Sequence, residues 1–217
     1  MDKHANKRLD TQKTRQRLLA VACKIFAEKG YQKATIAEIS RQAKTNIASV
    51  NYHFQDKENL YFEAWRYAFR QDVERYPSDG GVNIGCSPEE RLAGRIRSLI
   101  TRIADPKSYF FAIVHWELAH QTRLFEKIIQ QEIMPEREAM SALIAELLGS
   151  DATEKQIRFC HASIIGQCFH LLQVLRLQAN ASLQKDLELI SDTDAFIEHV
   201  IQFSLAGIDS LRSNKYR

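Results

Sequence analysis

Residues 46–57 set Asn46, Ser49, Asn51, Tyr52, His53 and Lys57 close together, with Thr35 and Lys44 a short way ahead. Nearly all carry hydrogen-bond donors, and two are cations. Donors at this density suit phosphate oxygens, which take bonds from Lys, Ser, Thr and Tyr side chains and from free helix-terminal amides. The two asparagines add a different capacity. Their amides can bond an adenine edge at two points, and Ile47 beside them can touch a thymine methyl. This is chemistry of recognition, not of turnover.

Two other constellations compete with it. Glu117 lies near His115 and His120. Acidic and imidazole groups on one helix without a nucleophile or metal are usually structural or ligand-facing. No Gly-rich phosphate loop, G-x-S-x-G, H-E-x-x-H or C-x-x-C is present, so no catalytic residue is assigned and an enzyme is not expected. The pairs Cys160-His161 and Cys168-Phe169-His170 give the alternative, a thiol- or metal-responsive DNA-binding sensor using Cys160, His161 and Cys168. Eight residues of helix separate the two sulfurs by about 12 Å, too far for one disulfide or one ion within that helix. Only a site shared between helices or subunits would serve, so neither metal nor cofactor is expected.

The donors need short helices to hold them. A first helix is expected over about 11–29, with Leu18, Leu19, Ala22, Ile25 and Phe26 inward and Gly30 ending it. Thr35 and Glu38 have capping-box spacing ahead of a second helix that runs to about Ala43 and buries Ile36 and Ile39. Asn46 is a good cap for a third, which buries Val50 and Phe54 and leaves Ile47, Ser49, Asn51, Tyr52 and His53 open. Asp56 caps a fourth that carries Leu60, Ala64 and Ala68 inward. Helix, tight turn and helix form the smallest unit that places one helix end in a DNA major groove.

Charge follows the same division. Residues 1–60 hold 12 Lys/Arg and 6 Asp/Glu, a net of +6; the other 157 hold 18 and 21, a net of −3. The basic excess sits with the helix-turn-helix, as phosphate binding requires. Apolar content of 45%, with 8 Gly and 4 Pro, supports a helical core and excludes general disorder. The N-terminal residues lack the apolar core of a signal peptide, and the longest apolar run, 109–114, is too short for a bilayer. No membrane partner and a cytoplasmic location with reduced thiols are expected.

Residues 77–86, PSDGGVNIGC, read as a loop. Ser87, Pro88 and Glu90 then restart a helix that ends before Asp105-Pro106 and carries Leu92, Ile96, Leu99 and Ile103. Further helices are expected at about 107–119, 124–148, 152–178 and 192–211, with Pro135 kinking or splitting the second and breaks at Gly149 and 180–182. The chain is therefore read as all-α. A flexible basic arm occupies 1–10, a DNA-binding domain 11–57, and a larger helical domain 58–217.

The run LLAVACKIFAEKGYQKATIAEISRQA, followed by NIASVNYHFQDKENLY, resembles the N-terminal domain of TetR-family transcriptional regulators. Asn51-Tyr52-His53-Phe54 ahead of Asp56-Lys57-Glu58-Asn59-Leu60 is specific to that family. The resemblance implies phosphate contacts from Thr35, Ser49, Tyr52, His53 and Lys57, and base contacts at Ile47 and Asn51. Asn46 and Lys44 join the candidate DNA-binding set. The family usually has Gly in the turn where this chain has Lys44, and a left-handed backbone there would cost about 1 kcal/mol. Asn51 stands where an aromatic is common.

Residues from about 88 onward resemble, more weakly, the C-terminal domain of the CecR-like branch, through Trp116-Glu117-Leu118, Ile133-Met134-Pro135, 163–167 and 203–207. That implies a homodimer formed by the last two long helices, a small-molecule effector of unknown identity, and a repressor released by it from a palindromic double-stranded operator. Ile157, Ile164, Cys168 and Leu171, with Phe196, Val200 and Phe203, form apolar stripes proposed for the dimer interface. Trp65, Phe69, Phe111, His115, Trp116 and Gln167 are candidates for the effector pocket, as polar groups among aromatic ones.

Overall fold

The computed structural model describes residues 3–177 and 192–213. All regular structure among them is helical: α1 (Lys3–Lys33), α2 (Ile36–Gln42), α3 (Ile47–Phe54), α4 (Lys57–Arg75), α5 (Pro88–Ala104), α6 (Tyr109–Ala119), α7 (Phe125–Ile128), a π-helical segment (Ile129–Ile133), α8 (Met134–Leu148), α9 (Glu154–Leu177) and α10 (Thr193–Ser213). The break expected at 180–182 lies outside the described residues.

The chain forms two compact units, Met1–Asp72 with Tyr109–Glu132, and Val73–Ser108 with Ile133–Arg217. This differs from a division at residue 57. The reason is packing: α6 lies on α1, and its residues serve the core of the first unit. A second difference concerns the arm. Helix α1 already begins at Lys3, because nothing in 3–10 is a Gly or Pro that would stop it. Residues 1 and 2 lie outside the described residues.

In the first unit every residue predicted for the inner face of α1 is buried, as are Ile39, Val50, Phe54, Leu60, Ala64 and Ala68. Ile36 is only half-buried. The helical path of α1 breaks at Gly30, with φ 69° and ψ 175°. A Cβ there would meet the Trp116 ring at 3.0 Å, so both the backbone and the space require glycine.

In the second unit α5 packs against α8, α9 and α10. Ser87 and Glu90 complete the expected capping box, with Pro88 in the first turn, and the helix stops at Ala104. Its buried stripe runs through Leu92, Ile96, Ile100 and Ile103; Leu99 is half-buried. Pro135 sits in the first turn of α8, where its missing N–H is harmless. The π-helical segment immediately precedes it, so the expected 124–148 helix is split.

Candidate nucleic-acid interface

Helix α2 ends in a Schellman motif. The Thr45 amide donates to the Ser40 carbonyl at 2.9 Å and the Lys44 amide to that of Arg41 at 3.2 Å. This puts Lys44 at the left-handed position, with φ 51°. The turn thus keeps the geometry glycine usually supplies and carries a cation in its place. At the other end of α2, the Thr35 hydroxyl accepts from the Glu38 amide at 3.2 Å. The Glu38 carboxylate accepts from Lys29 Nζ at 2.6 Å and from Gln42, not reciprocally from Thr35. A charged partner outcompetes a neutral amide for it, and Lys29 holds its carboxyl below the usual range.

Helix α3 is fixed at its start by Asn46. The Ser49 amide donates to Asn46 Oδ1 at 2.8 Å and the Ser49 hydroxyl donates to the same oxygen at 3.0 Å. Val50 and Phe54 face inward. The opposite side presents Ile47, half exposed, and Tyr52, 76% exposed, with Asn51 also exposed. Ser49 and His53 are half-buried. The ring of Tyr52 stands edge-on to that of His53 at 5.0 Å.

Three supporting contacts had no signal in periodicity. Lys57 Nζ lies 4.4 Å above the Tyr31 ring and donates to the Gln32 carbonyl at 3.4 Å. Arg15 lies over the Phe54 ring at 5.2 Å and pairs with Glu63 at 2.8 Å. Its charge, after burial, is the second cause that lowers the His53 pKa. The third contact is Glu117, buried to 1% exposure. It accepts from the Tyr61 hydroxyl at 2.6 Å, from the Thr122 amide at 2.9 Å and from the Thr122 hydroxyl. Burial and that carboxylate push the Tyr61 pKa far up. Glu117 thereby ties α6 to α4.

The remaining candidates fall out differently. Trp65, Phe69 and Phe111 are buried in the first unit, packed around Phe110. His115 is half-buried. Trp116 donates to the Ala27 carbonyl at 3.0 Å and, with Tyr31, Lys33 and His120 among others, lines a cavity of about 140 Å³. Gln167 is on α9 in the second unit, bonded to the Ser163 carbonyl. Aromatic density alone could not separate core from cavity.

Ile164, Cys168, Leu171 and Val200 are buried within this chain, which removes them from any exposed face. Ile157 and Phe196 are half-buried. Phe203 is 61% exposed. The free faces lie elsewhere on the same helices: Phe159 and Gly166 on α9, Phe203 and Gly207 on α10, with open space over both glycines. Among the described residues no group of three His, Cys, Asp or Glu is placed to hold a metal ion. Burial pushes the Cys168 thiol up to about 12 and raises that of Cys160, which disfavours the reactive thiolate at both. Nothing in this geometry favours the sensor alternative. No helix among the described residues is long and apolar enough to cross a membrane.

A tight-turned helix pair with one exposed donor-rich face defines a helix-turn-helix DNA-binding protein. Residues 18–64 match the family model for bacterial regulatory proteins of the tetR family, and residues 88–208 that for the C-terminal domain of the HTH-type transcriptional dual regulator CecR. The chain belongs to the TetR family of transcriptional regulators, with a CecR-type C-terminal domain. It is 27% identical over 198 residues to the HTH-type transcriptional dual regulator CecR of Shigella flexneri, spanning 84% of this chain and 88% of the relative. Its fold is similar to that of the transcriptional regulator FadR from Bacillus subtilis in complex with stearoyl-CoA, with TM-score 0.66, 16% identity and coverage of 88% and 98%. It is also similar to AibR in complex with isovaleryl coenzyme A and operator DNA, with TM-score 0.60, 18% identity and coverage of 74% and 86%.

Proposed function

We propose that the chain is a cytoplasmic homodimeric repressor that a small-molecule effector releases from a palindromic operator. The observation carrying this reading is the exposed side of α3, where Ile47, Asn51 and Tyr52 stand free above a buried Val50 and Phe54. In this reading Thr35, Lys44, Tyr52, His53 and Lys57 grip phosphates and set register, while Ile47, Asn46 and Asn51 meet base edges. Ser49 keeps both its amide and its hydroxyl proton on Asn46 Oδ1, so in this reading it braces the base-facing end of α3 in place of the phosphate contact expected of it.

Dimerisation is supported by the unpartnered faces of α9 and α10. Phe159 and Phe203 project there, and Gly166 and Gly207 allow close helix approach. A palindromic operator needs two heads about one helical turn apart. An effector is supported by the structural relatives solved with acyl-CoA ligands. It would act only through its differential affinity for operator-fitting and non-fitting states.

Selection of bound duplexes from a random pool, with sedimentation of the free and bound chain, tests the reading. The expected winners are palindromes bound by two chains. Binding no better than to scrambled duplex at low salt, or by one chain alone, overturns it.

A further inference from the structure

From the geometry at the start of α3 we infer that Asn46 reads guanine, as a donor only, while Asn51 keeps the two-ended amide suited to adenine. The inference rests on the DNA-binding reading above and deepens it. A backbone N–H can only donate, so the bond from the Ser49 amide at 2.8 Å identifies the cap atom as Oδ1 and fixes the amide orientation. The Ser49 hydroxyl takes the second lone pair of that oxygen at 3.0 Å. The acceptor end of Asn46 is therefore used up inside the chain, and Nδ2 with its two hydrogens is the end left at an exposed position.

Bidentate bonding to adenine needs both an acceptor for N6–H and a donor for N7. Asn46 has only the donor. Guanine shows two adjacent acceptors, N7 and O6, in the major groove, and one amide NH2 can meet both. Cytosine shows a donor there and is rejected. Asn51 lies five residues further along α3, about 7.5 Å up the axis. Its side chain makes no hydrogen bond among the described residues, so both ends of its amide remain available. Two asparagines on one helix thus differ in code because one of them also caps it.

Random-pool selection with the full-length wild type, Asn46→Asp, Asn46→Ser and Asn51→Ala tests this. Asp and Ser are both good N-caps, so melting and far-UV spectra should match the wild type. The wild type should fix guanine at one position of each half-site. Asn46→Asp, now an acceptor only, should move that position to cytosine, and Asn46→Ser should leave it degenerate. Affinity of Asn46→Ser for the wild-type site should fall about tenfold, within the range for one base contact. Asn51→Ala should relax a different position, one holding adenine. Adenine at the Asn46-dependent position, or variant pools identical to the wild type, would overturn the assignment while leaving DNA binding intact. A wild type that enriches no sequence would overturn both it and the reading beneath it.

Discussion

Lys57 rests its ammonium 4.4 Å above the ring of Tyr31, a residue 26 positions earlier in the chain. The aromatic face attracts the cation, and the Gln32 carbonyl fixes its direction. Partial burial lowers the Lys57 pKa, and the ring and carbonyl favour the charged form against it. Tyr31 and Gln32 follow directly on the break in α1 at Gly30.

Lys57→Ala should weaken binding to every duplex and reduce the slope of log K against log salt by about 1 per contact. Tyr31→Leu keeps the charge but loses its aim, so affinity should fall less and the slope should hold. Fluorescence anisotropy across a salt series reads both. An unchanged slope for Lys57→Ala would remove it from the phosphate set.

His53 should make operator binding pH-dependent. Burial first, then the Arg15 guanidinium, lowers its pKa below the ordinary 6.5. A phosphate favours the imidazolium, so the complex holds more protons than the free protein. Affinity should rise as pH falls toward the depressed imidazole pKa of the free protein, and His53→Gln should flatten that rise. The sign for folding is opposite. The folded pKa is the depressed one, so stability is full above 6.5 and declines as pH falls below it. Titrations of affinity and of melting temperature should therefore slope in opposite directions.

Lys44→Gly should stabilise the fold and weaken DNA binding together. At φ 51° a lysine is strained relative to glycine by about 1 kcal/mol. Relief of that should raise the melting temperature by about 2–4 °C for a chain of this size. Loss of the cation should lower affinity at low salt. A drop in melting temperature would mean the lysine side chain stabilises the turn.

Tyr61→Phe should destabilise the first unit by about 1–3 kcal/mol, because it leaves one oxygen of buried Glu117 short of a donor. Thermal melting measures it, and a neutral outcome would mean that water replaces the hydroxyl.

Much of this was legible beforehand because local rules govern it. Caps at Asn46, Asp56 and Ser87, the stop at Gly30 and the inner faces of α1, α3 and α4 each follow from residues within one or two turns. The Lys44 strain was legible for the same reason. What failed to show was long-range. Glu117 bonds Tyr61 across 56 positions, and Trp116 packs on Gly30 across 86; no periodicity carries such pairings. The candidate dimer stripe mixes two kinds of position, since Ile164, Cys168 and Leu171 are buried within the chain and Phe203 is exposed. Heptad-like spacing marks Ile164, Cys168 and Leu171 as apolar, but the same pattern serves an intrachain core, and only burial tells the two apart.

The exposed residues give the sharper test of dimerisation. Phe203 is 61% exposed and stacks on His199, with ring centroids 6.0 Å apart. Burying a phenylalanine side chain contributes about 1.5–3 kcal/mol, and a symmetric interface counts it twice. Phe203→Glu replaces that gain with a buried charge in each copy. Sedimentation should show monomers with the helical content of the wild type, and operator affinity should fall with them. Ile164→Glu should instead unfold the second unit, since that side chain is already 2% exposed within one chain. A Phe203→Glu protein that remains dimeric would put the interface on another face.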